Sequence, residues 1–163
     1  IIVASLAKSF GASGGVVMFG NSEHKQKTLR YGGPSNWSQS LNSAAIGAGR
    51  ASILLHYTDE LDQLQHKLRA NTALFDSLVK TKQQGNFTAI RLIHCGQPET
   101  ATHAVSYLAN NGFFTASVFF PVVAKDQAAI RVTLRADMTQ ELIKNFCHLV
   151  HRYWQDNNLP TLT

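Results

Sequence analysis

Three short stretches carry side chains able to do chemistry. Ser5-Leu6-Ala7-Lys8 places a hydroxyl three residues before a primary amine, and Gly11, Gly14 and Gly15 follow before the chain turns apolar at Val16. Trp37-Ser38 adds a second hydroxyl, and Arg131 puts a guanidinium inside the strand-like run Ile130-Arg131-Val132-Thr133-Leu134. A lysine amine at a strand end, on backbone that glycine frees for close approach, is suited to condense with an aldehyde as a Schiff base. A hydroxyl beside it and the N–H groups of a glycine loop suit an anion such as phosphate. An arginine suits a carboxylate, which it grips through two parallel hydrogen bonds.

Other readings of the same residues are weaker or plainer. Ser-x-x-Lys is also the nucleophile motif of penicillin-recognising acyl enzymes, but Ser-Asp-Asn and Lys-Thr-Gly partners are absent and the glycines make a helix after Lys8 costly. Lys27-Thr28 follows Gln26 where a phosphate-binding loop needs glycine. The plain alternatives are a solvated lysine beside a glycine loop and an arginine capping a sheet edge. His148 and His151 stand three apart on the last helix with no carboxylate pair beside them, so no metal site is expected. Those two and His24, His56, His66, His94 and His103 read as structural or solvated.

Composition narrows the class. The 163 residues are 44% hydrophobic, enough for a sizeable core, and no apolar stretch approaches the ~20 residues of a membrane span. The net charge of +5 is scattered without arginine–aromatic clustering, which argues against nucleic acid. Cys95 and Cys147 lie in apolar patterns far from any Cys-x-x-Cys spacing and read as buried thiols of a reducing, cytoplasmic compartment, with a disulfide between them as the alternative. Asn36-Trp37-Ser38 and Asn86-Phe87-Thr88 match the glycosylation sequon, a pattern short enough to recur by chance. The chain opens on Ile1-Ile2-Val3 rather than on Met, so we expect the carboxyl-terminal part of a longer polypeptide.

The elements that must position these groups follow in order. Ile1 to Lys8 reads as a strand, Val16 to Phe19 as a second, and residues 21–30 as one or two helical turns. Tyr31 to Asn36 is a glycine–proline loop. From Ser38 to His56 small residues alternate with Leu41, Ile46, Ile53 and Leu54, a helix expected to pack closely against another surface, with a second subunit as the candidate. Thr58 starts a long helix with Leu61, Leu64, Leu68, Phe75, Leu78 and Val79 on one face, ending near Gly85. Strands are expected over 88–95, 113–123 (broken by Pro121) and 129–134. Helices are expected from Pro98 to Asn110 and from a Thr139 cap onward, the last burying Leu142, Ile143, Phe146, Leu149, Val150, Tyr153 and Trp154. The second half is thus an α+β subdomain, with a boundary inside the long helix near residue 70.

Ser-x-x-Lys-x-x-Gly-x-x-Gly-Gly at Ser5–Gly15 resembles the cofactor-lysine segment of the α-oxoamine synthases, which depend on pyridoxal phosphate. Trp37-Ser38, Leu68-Arg69, Phe120-Pro121-Val122-Val123, Ile130 to Leu134 and Thr139 are similar to later family segments in the same order, to about residue 152. The resemblance implies an α/β fold: the carboxyl-terminal part of a fold-type I pyridoxal-phosphate transferase, with 1–70 finishing the large domain and 71–163 a small α+β domain. It implies that Lys8 holds pyridoxal 5'-phosphate and serves as acid and base, with Ser5 on its phosphate. It implies that Ser38 serves the neighbouring subunit's phosphate in a homodimer, and that Arg131 orients the amino-acid carboxylate. The implied reaction joins an amino acid to an acyl-CoA thioester with loss of carbon dioxide. Ala7, Met138, Gln39 and Ser40 depart from the usual family residues, which leaves the particular substrates open. A catalytically silent fragment or interaction module and a fold-type I aminotransferase are the alternatives.

Overall fold

The computed structural model describes residues 1–33 and 37–160. Asn36 of the first sequon and part of the expected 31–36 loop lie outside the described residues. The chain divides into two compact units, Ile1–Leu61 and Asp62–Thr163. The division falls on the same unbroken helix as the expected boundary near residue 70; residues 62–67 of that helix are all exposed.

In the first unit, β1 (Ile2–Ser5) and β2 (Gly15–Met18) pair antiparallel, from Ile2↔Met18 to Ser5↔Gly15. Helix α1 (Ser22–Tyr31) begins at Asn21, whose side chain accepts from the His24 N–H at 2.8 Å. Helix α2 (Ser43–Leu55) begins the same way, Asn42 accepting from Ala45 N–H at 2.7 Å. These caps satisfy N–H groups that have no partner within a helix. The small-residue helix buries only Ala45 and Gly49, while Ile46, Ile53, Leu54 and Leu55 stay exposed. Thr58 stands before the next helix as expected, but its hydroxyl donates back to Leu55 O at 2.8 Å and closes α2.

Helix α3 (Asp59–Leu78) leads into the second unit, where it is followed by β3 (Ile90–Gly96), α4 (Pro98–Asn110), β4 (Ala116–Val118), β5 (Ala128–Thr133) and α5 (Gln140–Asp156). The strands form one antiparallel sheet in the order β3-β5-β4. Ile93 faces Ile130 across the ladder, and Arg91 faces Val132; this face is buried. Phe75, Val79, Leu108, Ile143, Phe146 and Val150 complete the core with it. Each such side chain removed from water contributes about 1.5–3 kcal/mol. The expected α+β arrangement of the second half is present.

Three expectations change in detail. The run 113–123 yields only the three residues of β4, because Pro121 offers no N–H to a ladder and pairing stops at Ala116↔Arg131. Helix α3 stops at Leu78 rather than near Gly85. Tight turns follow, with Gln84 N–H donating to Thr81 O and Asn86 N–H to Gln83 O, both at 3.0 Å. Its buried face carries Asn71, Thr72, Phe75 and Asp76, whereas Leu64 and Leu78 are exposed. In α5, Leu142 is exposed and Cys147 takes its place in the buried stripe.

Candidate functional site

Lys8 lies in the loop that joins β1 to β2. The hairpin continues past its strands: Leu6 N–H donates to Gly14 O, Ala12 N–H to Leu6 O and Gly11 N–H to Lys8 O, each at 2.9 Å. Lys8 therefore sits in a closed turn three residues beyond the end of β1, not at the last position of the strand as its sequence suggests. Two glycines make that turn possible, Gly11 at φ +60° and Gly14 at φ +101°, values that L side chains rarely adopt. A Cβ at Gly14 would also stand 2.5 Å from Leu41 Cδ2.

The turn is held against α2. Ala12 is buried beside Gly49, and the Phe10 ring stacks on His56 with centroids 5.1 Å apart. His56 is fixed in turn by a 2.8 Å hydrogen bond between its Nδ1 and Ser52 O. Packing thus orders the backbone around Lys8 while its side chain remains exposed and without an ion pair or hydrogen bond to any described residue. Ser5 is the last residue of β1; its hydroxyl accepts from Ala7 N–H at 3.3 Å, a long bond that leaves the oxygen available. Ser5 thus ends the strand that enters the loop, and Lys8 lies three residues further on within it. Ser38, exposed in a bend, makes no hydrogen bond with either of them.

Arg131 belongs to the second unit. It lies on β5 opposite Leu92 of β3 and Ala116 of β4, on the sheet face turned away from the core residues Ile130 and Val132. The guanidinium is exposed and makes no hydrogen bond or ion pair with any described residue. A cavity of about 280 Å³ opens beside it where Phe113, Phe114 and Thr115 leave the ladder.

Sequence reasoning missed the other important arginine. Arg91 is fully buried on β3, and its guanidinium grips the Asp76 carboxylate through Nε–Oδ1 at 2.6 Å and Nη2–Oδ2 at 2.8 Å. The remaining N–H groups donate to Thr88 O, Ile90 O and Asn86 O. Burial raises the Asp76 carboxyl, but the hydrogen bonds from Arg91 and from Gly85 N–H, with the Arg91 charge, outweigh it and hold the group below its usual range. A signal existed: Asp76 lies next to Phe75 on the apolar side of α3, and Arg91 interrupts an apolar strand.

The histidines follow the structural reading where their surroundings are explicit. His103 Nδ1 shares a 2.7 Å hydrogen bond with the buried Tyr153 hydroxyl, and His151 Nε2 lies 2.8 Å from Leu78 O. Burial, helped by the Lys82 charge, pushes His94 below its ordinary value. No group of metal-binding side chains occurs among the described residues. No helix among them is long and apolar enough to cross a membrane. Cys95 and Cys147 are free thiols, Cys95 only partly buried.

The family model for aminotransferase class I and II matches residues 1–150. The chain belongs to that family. It is 27% identical over 164 aligned residues to 8-amino-7-oxononanoate synthase of Alkaliphilus metalliredigens, covering 96% of this chain and 40% of that protein. The Petrotoga mobilis enzyme of the same name is 28% identical over 86% of this chain and 36% of its own length. The fold matches serine palmitoyltransferase from S. paucimobilis, described with a bound PLP–myriocin aldimine, at a TM-score of 0.83 and 16% identity, covering 96% of this chain and 40% of that one. It also matches 8-amino-7-oxononanoate synthase from Francisella tularensis, at 0.77 and 18%, covering 96% and 46%. The chain thus has the α/β fold of part of those enzymes and spans about 40% of the length of the curated relatives it matches.

Proposed function

We propose that the protein to which this chain contributes is a pyridoxal-phosphate-dependent acyltransferase of the α-oxoamine synthase type. The single observation that carries this reading is the Lys8 loop: a primary amine without a partner among the described residues, on a turn fixed by left-handed glycines, with Ser5 at the end of the strand that enters it. The names of the relatives and of the matched structures support the same chemistry.

The residues present fit the cofactor. An amine can take its aldehyde, a hydroxyl its phosphate, and no described side chain forms a hydrogen bond or ion pair with either group. When bound, the cofactor supplies an electron sink that stabilises negative charge at the α-carbon of an amino acid. Lys8 would hold it and, as a free amine, would carry a proton to and from that carbon. Ser5 would donate to its phosphate. Arg131 holds the amino-acid carboxylate through two parallel bonds, and Ser38 reaches the phosphate of the neighbouring subunit in a homodimer. The second substrate is an acyl-CoA thioester, and the first unit finishes the cofactor-binding domain.

Borohydride reduction after incubation with pyridoxal phosphate tests the assignment. In the whole protein the label is expected on Lys8, in excess over Lys25 and Lys27 and together with loss of a visible absorbance band. A Lys8→Ala protein that keeps the band overturns the role of Lys8. Consumption of acyl-CoA, rather than transfer of an amino group to a keto acid, separates this reading from an aminotransferase.

A further inference from the structure

The cavity beside Arg131 is not explained by a role for that arginine toward a small amino acid alone. Phe75, Phe113, Leu134, Ile143 and Phe146 form its walls, and its volume of about 280 Å³ lies close to the lower bound of ligand pockets, roughly 300 Å³. It opens where Phe113, Phe114 and Thr115 leave the β4–β5 ladder, so it reaches from the exposed sheet face toward the core of the second unit. Among the described residues, Arg131 is the one charged residue that lines it, and its guanidinium has no partner there. Thr115 also lines it, and its Oγ1 is buried without a hydrogen bond. Buried hydroxyls nearly always find a partner, so this one marks a bond that a ligand oxygen can complete.

We propose that this cavity binds a monocarboxylate with an unbranched apolar tail, the tail among the phenylalanines and the head group on Arg131. The composition of the lining selects against other ligands. A neutral apolar molecule gains nothing from the guanidinium, and a compact anion such as phosphate leaves the apolar walls unfilled. A dicarboxylate would carry its second charge into a lining that holds no second cation. On the reading given above, in which Arg131 holds the amino-acid carboxylate, such a ligand competes with the amino acid for one guanidinium and acts as a competitive inhibitor. The binding step itself needs neither the cofactor nor that reading.

Titration of this chain with straight-chain carboxylates from butyrate to decanoate, followed by amide NMR, tests the proposal. Saturable shifts are expected at Phe113, Thr115 and Thr133. Affinity should rise roughly fourfold per added methylene until the cavity is full and then level off. Arg131→Gln should weaken octanoate about tenfold or more and bring it level with octan-1-ol. Ala116→Phe, an exposed position on the cavity wall, should weaken octanoate and octan-1-ol alike. Octanoate shifts that fail to saturate below about 10 mM, or octan-1-ol binding to the unaltered chain as tightly as octanoate, overturn it. Because no cofactor is present, failure here leaves the Lys8 labelling result untouched, and failure of that labelling leaves this cavity standing.

Discussion

Asp76 and Arg91 lock helix α3 to strand β3 through a two-pronged ion pair, Nε–Oδ1 at 2.6 Å and Nη2–Oδ2 at 2.8 Å, in a setting where Arg91 has no exposed surface. Gly85 N–H adds a third bond to the same carboxylate at 3.0 Å, so the pair also fixes the turn that separates the two elements. Every guanidinium N–H finds an acceptor, which is the condition under which a buried ion pair is tolerated.

Removing one partner leaves the other charge stranded. Asp76→Asn is expected to destabilise the second unit by about 3–5 kcal/mol, read from the urea midpoint. The pH dependence has a definite sign. The Asp76 carboxyl is held below its unfolded value of about 3.9, so its contribution is complete above that pH and is lost as pH falls through the lower native value. The unaltered chain should therefore lose stability in that acid window, and Asp76→Asn should show a shallower loss there. An unchanged acid limb in the variant would remove Asp76 from the account.

This pair shows what the sequence conceals. A helix pattern is read from apolar residues and assigns Asn71, Thr72 and Asp76 to no face, although all three are buried. Asn71 is buried because its Nδ2 donates to both Arg135 O and Met138 O at 2.9 Å, across 64 and 67 residues of chain. Long-range polar partners leave no local period. Caps do, and Pro98 and Thr139 fall at or beside helix starts as their types imply, whereas the helix expected from Ser38 starts only at Ser43, where Asn42 caps it. For the candidate site, the glycine spacing around Lys8 was legible because left-handed backbone demands glycine. The cavity beside Arg131 was not, because it arises from where a strand stops pairing.

Gly14 is the position where the Lys8 turn is most constrained. Gly14→Ala combines a φ of +101° with a Cβ 2.5 Å from Leu41 Cδ2. A destabilisation of about 1–2 kcal/mol in the first unit is expected, seen as earlier loss of amide protection at Leu6 and Ala12. Gly47→Ala, in the middle of α2 with nothing within 4 Å of its Cβ, is the control and should stabilise by about 1 kcal/mol. Equal effects at the two glycines would show that the turn does not depend on Gly14.

The two thiols should be inert in the folded chain. Burial pushes Cys95 up to about 11 and Cys147 up to about 12, so the reactive thiolate is scarce at neutral pH. Alkylation by iodoacetamide at pH 7 is expected to be slower than for a free thiol by about a hundredfold or more, and to reach ordinary rates in urea. Cys95, which is partly exposed, should react before Cys147. Rapid labelling of Cys147 under native conditions would show that the α5 stripe opens more readily than its packing allows.

Arg131 offers a kinetic test of the proposed reaction. Lysine keeps the charge but loses the paired parallel bonds to a carboxylate. In the whole protein, Arg131→Lys should raise the KM for the amino acid by about 10–100-fold, the scale of a hydrogen bond to a charged group, and Arg131→Gln by more. The KM for the acyl thioester should change little, because that substrate presents no carboxylate at the reacting carbon. If both KM values moved together, Arg131 would be acting through the shape of β5 rather than on the amino acid. A fall in kcat alone would place its bond in the transition state instead of in substrate binding.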